Sequence, residues 1–239
     1  MKIFLGFDDT DTLGGEISTG LLARRFGQTK LPSGARLWGV LRQQLRLDAQ
    51  IPFTSQNSAA CIVVEAAESL IAEITERALA HIAEVASPTA APGLCVARED
   101  MQLAPLIEFG LTCTHEVTTL ERAKEVAAQA GAQVFGAIGV IGAVAAVGLT
   151  AHGWSGRFIE FGDLRALPDP IRVDDLIAHG IMPTPIDRAT RALAPGALIH
   201  CGGWLSPRLW AGRPVAPVEM KYGRFVALGA RPRDAETAE

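Results

Sequence analysis

The stretch Lys2-Ile3-Phe4-Leu5-Gly6-Phe7-Asp8-Asp9-Thr10-Asp11 decides how the chain reads. Lys2 to Phe7 has the apolar run of a buried strand, and it opens directly into four polar residues followed by Gly14 and Gly15. Three carboxylates crowded at the end of a buried strand repel one another and resist burial, so an opposite charge must offset them. Oxygen-only ligands suit magnesium, which takes one or two carboxylates, waters and substrate phosphate oxygens. Asp8, Asp9 and Asp11 are therefore candidate metal ligands and catalytic carboxylates, with Thr10, Gly14 and Gly15 as candidate phosphate contacts.

Next along the chain, Gly14, Gly15 and Gly20 bracket Ser18 and Thr19 before the apolar segment Leu21 to Phe26. Hydroxyls and glycines at a helix start are a natural seat for an anion. The plainer alternative is a carboxylate-rich turn whose side chains cap their own backbone.

Further strands are expected at Ala35 to Leu45, Ala59 to Val64, Leu94 to Ala97, Arg157 to Phe161 and Phe225 to Leu228. Apolar residues at helical spacing between Glu68 and Val85 predict an amphipathic helix on a sheet. Helices are also expected near Asp100 to Phe109, at Leu120 to Ala130 before Gly131, and at Val173 to His179. The order predicts an α/β or α+β protein. Ser87 to Gly93 (SPTAAPG) is the clearest composition break, so regions 1–93, 94–229 and a frayed tail 230–239 are expected.

Val126 to Gly156 contains no Asp, Glu, Lys or Arg and is long enough for one membrane span. Its many glycines and the charged amphipathic helix before it favour a short strand at Gln133 to Phe135 and a buried helix at Ile138 to Val147. Gly136, Gly139 and Gly142 either let backbone approach phosphates or allow tight helix packing; the sequence does not separate the two.

With 239 residues, 49% of them hydrophobic, the chain can bury a sizeable core. A net charge of −4 argues against broad binding to a nucleic-acid backbone. Four scattered cysteines, Cys61, Cys95, Cys113 and Cys201, with no CxxC pair and no signal-peptide pattern, set a reducing, cytoplasmic expectation. Cys113 with His115 and His200 with Cys201 are weak metal pairs. His152 is the histidine first in line as an acid-base group, Trp154, Trp204 and Trp210 are possible base-stacking residues, and Asp163, Asp174 and Asp175 could bind an amine or cap helices.

The segment GFDDTDTLGGEISTGLL, residues 6–22, resembles the N-terminal signature of the archaeal agmatidine synthetases, which use ATP and agmatine to modify a wobble cytidine of an isoleucine tRNA. RLDAQIPFTSQNSAA (Arg46 to Ala60) and GVIGAVAAVGL (Gly139 to Leu149) resemble two later family segments; Asn57 and Ser58 in the first are candidate nucleotide contacts. The resemblance implies a kinase-like α/β domain packed with a ferredoxin-like lobe. It implies ATP and magnesium as cofactors, handled by Asp8, Asp9 and Asp11, and it places Ser18 or Thr19 at the family's phosphorylatable threonine. The implied chemistry is activation of a carbonyl oxygen by phosphoryl transfer, then attack by an amine.

Two departures stand beside it. Thr54 and Gln56 occupy positions where the family has a lysine and an arginine, and no CxxC pair of a zinc ribbon is present. An acidic chain without the family's OB-type and zinc-ribbon modules is a poor candidate for reading a whole tRNA, so a small-molecule or amine acceptor, or a partner-delivered nucleic acid, is expected. Two other classes stay open. One is a non-catalytic nucleotide-binding or regulatory module. The other is a haloacid-dehalogenase-like phosphatase, whose DxDx loop the strand end resembles, although Leu13 stands where that loop has a hydroxyl.

Overall fold

Along β1 (Lys2–Asp8), Ile3, Leu5 and Phe7 point to one face of a sheet while Phe4, Gly6 and Asp8 point to the other, the alternation a pleated strand imposes. In the computed structural model, which describes residues 1–12, 17–51, 56–187 and 193–229, β1 lies at the centre of that sheet. It pairs antiparallel with β3 (Ser58–Glu65) on one side and β4 (Gly93–Arg98) on the other. Beyond β3 come β2 (Arg36–Gln44) and β6 (Arg157–Glu160), and beyond β4 comes β5 (Gln133–Gly136).

Two compact units divide at residue 159: Met1–Ile159 and Glu160–Glu239. Ser87 to Gly93, read from sequence as a lobe boundary, lies inside the first unit and leads into β4. Helices α1 (Thr19–Thr29) and α2 (Ile71–Val85) complete a β-α-β-β-α-β order across Lys2–Arg98, with strands in the order β4-β1-β3-β2. That is the ferredoxin-like arrangement. Ile3, Leu5, Phe7, Leu22, Phe26, Val40, Ala60, Ile62 and Ile74 form its buried core under α1 and α2. The rings of Phe7 and Phe26 stand 6.0 Å apart within it.

The opposite face of the sheet is covered by α5 (Val140–His152), against which α3 (Ala104–Thr112) and α4 (Leu120–Ala130) pack. α3 starts later than its apolar pattern implied, with Pro105 in the first turn where its missing N–H costs nothing. α4 ends as expected at Gly131, whose φ of 77° forms a left-handed cap. α5 is the buried apolar helix, 13 residues long, and among the described residues no helix is long and apolar enough to cross a membrane.

Glycines set how closely α5 approaches the sheet. A Cβ on Gly6 would overlap the Ala143 carbonyl oxygen, and one on Gly148 would overlap that of Leu106 in α3.

The second unit is rich in short strands: β7 (Ile171–Arg172), β8 (Met182–Pro185), β9 (Leu198–His200), β10 (Arg208–Trp210), β11 (Arg213–Lys221) and β12 (Arg224–Ala227). They run in the order β10-β11-β12-β9-β7, with β8 parallel to β11. A short helix, α6 (Val173–Ala178), follows β7. The proline-rich stretches Pro183 to Pro185 and Pro207 to Pro217 form most of β8, all of β10 and the first part of β11. Pro183 and Pro185 are tolerated in β8 because it pairs only with β11, and an edge strand can spare N–H donors.

Candidate functional site

The ladders bring several strand ends to one margin of the first unit. Asp8 is opposite Gly93, Gly93 is opposite Gly136, and Phe7 is opposite Ala60. Beyond that last pair β1 ends at Asp8, and β3 begins at Ser58. Asp8 follows Phe4 and Gly6 onto the α5 face, where its carboxylate packs so closely on Gly142 that a Cβ there would overlap Oδ2. Gly139 is pressed against the Asp8 carbonyl oxygen and the Gly93 amide, and Gly136 against the Pro92 carbonyl. These three contacts demand glycine for packing alone. Of the two roles the sequence left open, the structure shows the close helix approach.

Asp9 adopts φ 52°, a left-handed conformation that Asp tolerates better than most residues and that turns the chain sharply out of the strand. The turn is then fastened to the start of α1. The Thr19 hydroxyl donates to Asp11 Oδ1 at 2.9 Å and accepts from Thr10 Oγ1 at 3.0 Å, with Thr10 and Thr19 both buried. Ser18, exposed, caps α1 by accepting from the Leu21 amide at 3.3 Å. The two hydroxyls thus differ: Thr19 is enclosed and bonded to the amide and hydroxyl of Thr10 and to Asp11, while Ser18 faces solvent.

Burial pushes the half-buried Asp8 carboxyl from its ordinary 3.8 up to about 8; the charges of Asp9 and Asp11 add to the rise, and a hydrogen bond from the Asp9 backbone opposes it. Asp9 is raised too, by burial and then by Asp11, against a hydrogen bond from the Ala91 backbone. Cys113 lies close enough to Asp8 that the carboxylate reinforces the effect of burial on its thiol, raised to about 11. An arriving cation would displace the proton that burial favours and draw both carboxyls back toward the ionised form. Asp8 and Asp9 suit magnesium, which needs only one or two protein carboxylates. Among the described residues no group of three His, Cys, Asp or Glu is placed to hold a metal by itself.

Asn57 and Ser58 stand at the same margin. Asn57 Nδ2 donates to the Arg46 carbonyl at 2.7 Å, and the Ser58 hydroxyl accepts from Arg42 Nε at 2.8 Å. Arg42 Nη2 also reaches Gln56 Oε1 at 3.3 Å, so a guanidinium from β2 stands beside a position that the family resemblance would make basic. Sequence reading missed Arg42, although its spacing of two from Val40 placed it on the α1 face. Gly14, Gly15, Leu13 and Thr54 lie outside the described residues.

Other candidates fall elsewhere. His152 is the last residue of α5, roughly 18 Å along the helix from the end that meets Asp8. His115 is exposed beside Glu116, and Cys113 is buried, so that pair does not converge on a metal. Asp174 sits in the first turn of α6 and pairs with Arg172, while Trp204 stacks under Arg165 at 3.5 Å. Lys2 stands at the far end of β1 from Asp8, and Lys30 pairs with Glu84, so neither serves a dehalogenase-type loop.

The mixed α/β fold is similar to that of a solved tRNA agmatidine synthetase and of a tRNA fluorescent labeling enzyme. The particular likeness is to TiaS, the agmatidine synthetase of an isoleucine tRNA: the apo structure is 25% identical with a TM-score of 0.52, covering 62% of this chain and 35% of that one. The complex of TiaS with its tRNA and ATP is 26% identical with a TM-score of 0.52, and a tRNA fluorescent labeling enzyme is 26% identical with 0.53; each covers 62% of this chain and 36% of the other. The likeness therefore spans little more than a third of those proteins. No family model and no curated protein matches the sequence.

Proposed function

We propose that this chain is an ATP- and magnesium-dependent phosphotransferase or ligase, related to agmatidine synthetases, that activates an acceptor by phosphoryl transfer. The observation that carries the reading is the placement of Asp8 and Asp9: two carboxyls raised above their ordinary range, at the end of a central strand and tied to the start of α1. The TiaS complexes with ATP, and with AMPCPP and agmatine, support a nucleotide and an amine as ligand classes.

In this reading Asp8 and Asp9 hold magnesium, whose charge offsets theirs and that of the nucleotide phosphates. Asp11 orients the Thr19 hydroxyl and thereby the start of α1. Ser18, exposed at the cap, is the hydroxyl free to relay a phosphoryl group, and Asn57 and Ser58 flank the nucleotide. The acceptor is a small molecule or amine, or a nucleic acid delivered by a partner.

Asp9→Asn tests the assignment. The variant is expected to lose ATP hydrolysis in a coupled-enzyme assay while keeping the thermal midpoint of the parent. Unchanged turnover would remove Asp9 from the chemistry. Magnesium-dependent ATP binding by the parent with neither hydrolysis nor an acceptor-dependent product would instead identify a non-catalytic nucleotide module.

A further inference from the structure

Six arginines of the described chain, Arg36, Arg46, Arg77, Arg98, Arg122 and Arg172, pair with carboxylates. Arg42 and Arg157 are among those that do not: among the described residues neither guanidinium has an acidic partner, and the two stand on the neighbouring strands β2 and β6. Arg42 alternates with Val40, and Arg157 with Ile159, so both follow core residues onto the α1 face of the sheet. Arg42 is half-buried and, among the described residues, bonded only to the neutral Ser58 and Gln56. Burial, and then the charge of Arg157, hold its guanidinium below the ordinary range.

A third cation belongs to the same side. Gly20 of α1 faces Ile159, and Arg24, one turn further along that helix face, has a buried Nε with no hydrogen-bond partner. Like charges brought together without a counterion destabilise a fold unless an anion joins them. Guanidinium forks match phosphate oxygens in pairs. Ser58, bonded to Arg42, begins β3 at the sheet margin where β1 ends, so an anion here would lie at the same margin as the carboxylate turn.

We propose that Arg42 and Arg157 form an anion subsite that receives a phosphate chain, that of the nucleotide whose metal Asp8 and Asp9 hold. The identity of the chain as a nucleotide's rests on the reading of the carboxylate turn given above; the anion site itself does not. Division of labour follows: carboxylates on the β1 end take the cation, and arginines on β2 and β6 take the phosphate oxygens that the cation leaves uncovered.

Titration calorimetry of the full chain with magnesium-ATP and, separately, with sodium pyrophosphate tests this in the parent, Arg42→Gln and Arg157→Gln. Each variant is expected to bind both ligands at least ~10-fold more weakly, with a shallower dependence on salt. Arg157 is exposed, so Arg157→Gln folds even if the half-buried Arg42 site proves sensitive. ATP and pyrophosphate bound equally tightly by the parent and Arg157→Gln would overturn the subsite while leaving the nucleotide reading intact. Pyrophosphate bound by the parent and lost in the variants, without any ATP binding, would keep the subsite and remove the nucleotide reading. A parent that binds neither ligand overturns both.

Discussion

Asp8 shows how one side chain makes the protein sensitive to pH. Its carboxyl titrates near 3.8 in the unfolded chain and about 8 in the folded one, so between those values the folded state keeps a proton that the unfolded state has released. Ligand-free stability must therefore fall as pH rises through that interval and level off above it. Asp8→Asn is expected to flatten this slope in chemical denaturation measured from pH 5 to pH 8. Magnesium with ATP should flatten it in the parent as well, by favouring the ionised carboxylate. Thr19 gives a second test at this scale: Thr19→Val keeps the volume but removes the hydroxyl that bonds Thr10 and Asp11. A loss of about 1–3 kcal/mol in unfolding free energy is expected from two disrupted buried bonds.

Among the elements, α5 and β1 behave as one body because glycine removes the side chains that would part them. Gly6→Ala sets a methyl group against the Ala143 carbonyl, which is backbone and cannot swing aside. A destabilisation of about 1–3 kcal/mol is expected in urea denaturation. Gly142→Ala would instead displace the Asp8 carboxylate, and should impair ATP binding more than it lowers the thermal midpoint. The existence of these elements was legible in the sequence: Ile3, Leu5 and Phe7 declare a strand, and the spacing of Ile71, Ile74 and Ile82 declares α2. Their partners were not. Whether Gly139 and Gly142 face a ligand or a carboxylate depends on which strand α5 crosses, a long-range fact that periodicity does not encode. The unpaired Arg42 was hidden for the same reason, since its isolation is defined by residues far away in the chain.

For the molecule as a whole, the division after Ile159 differs from the break that composition suggested at Ser87 to Gly93. Prolines and small residues mark a surface connection equally well between lobes or between a helix and a strand, and here they join α2 to β4. The second unit has little helix to hold its short strands, and Asp169 accepts from the amides of Cys201 and Gly203, both at 2.7 Å. Asp169→Ala is expected to destabilise that unit by about 1–3 kcal/mol, read as faster amide exchange across residues 195–229.

One fastening described above bears on ancestry. Thr10 and Thr19 meet directly, so the residue after the carboxylate pair and the first residue of α1 are held together by two side chains. Closing a loop costs little more as it lengthens. The length of chain joining two such fastened points can therefore vary at little cost, whereas Thr10 and Thr19 themselves are not free to drift. Distant relatives of this chain should thus be sought by a DDTD at a strand end and a Ser-Thr at a helix start, with the number of residues between them left open.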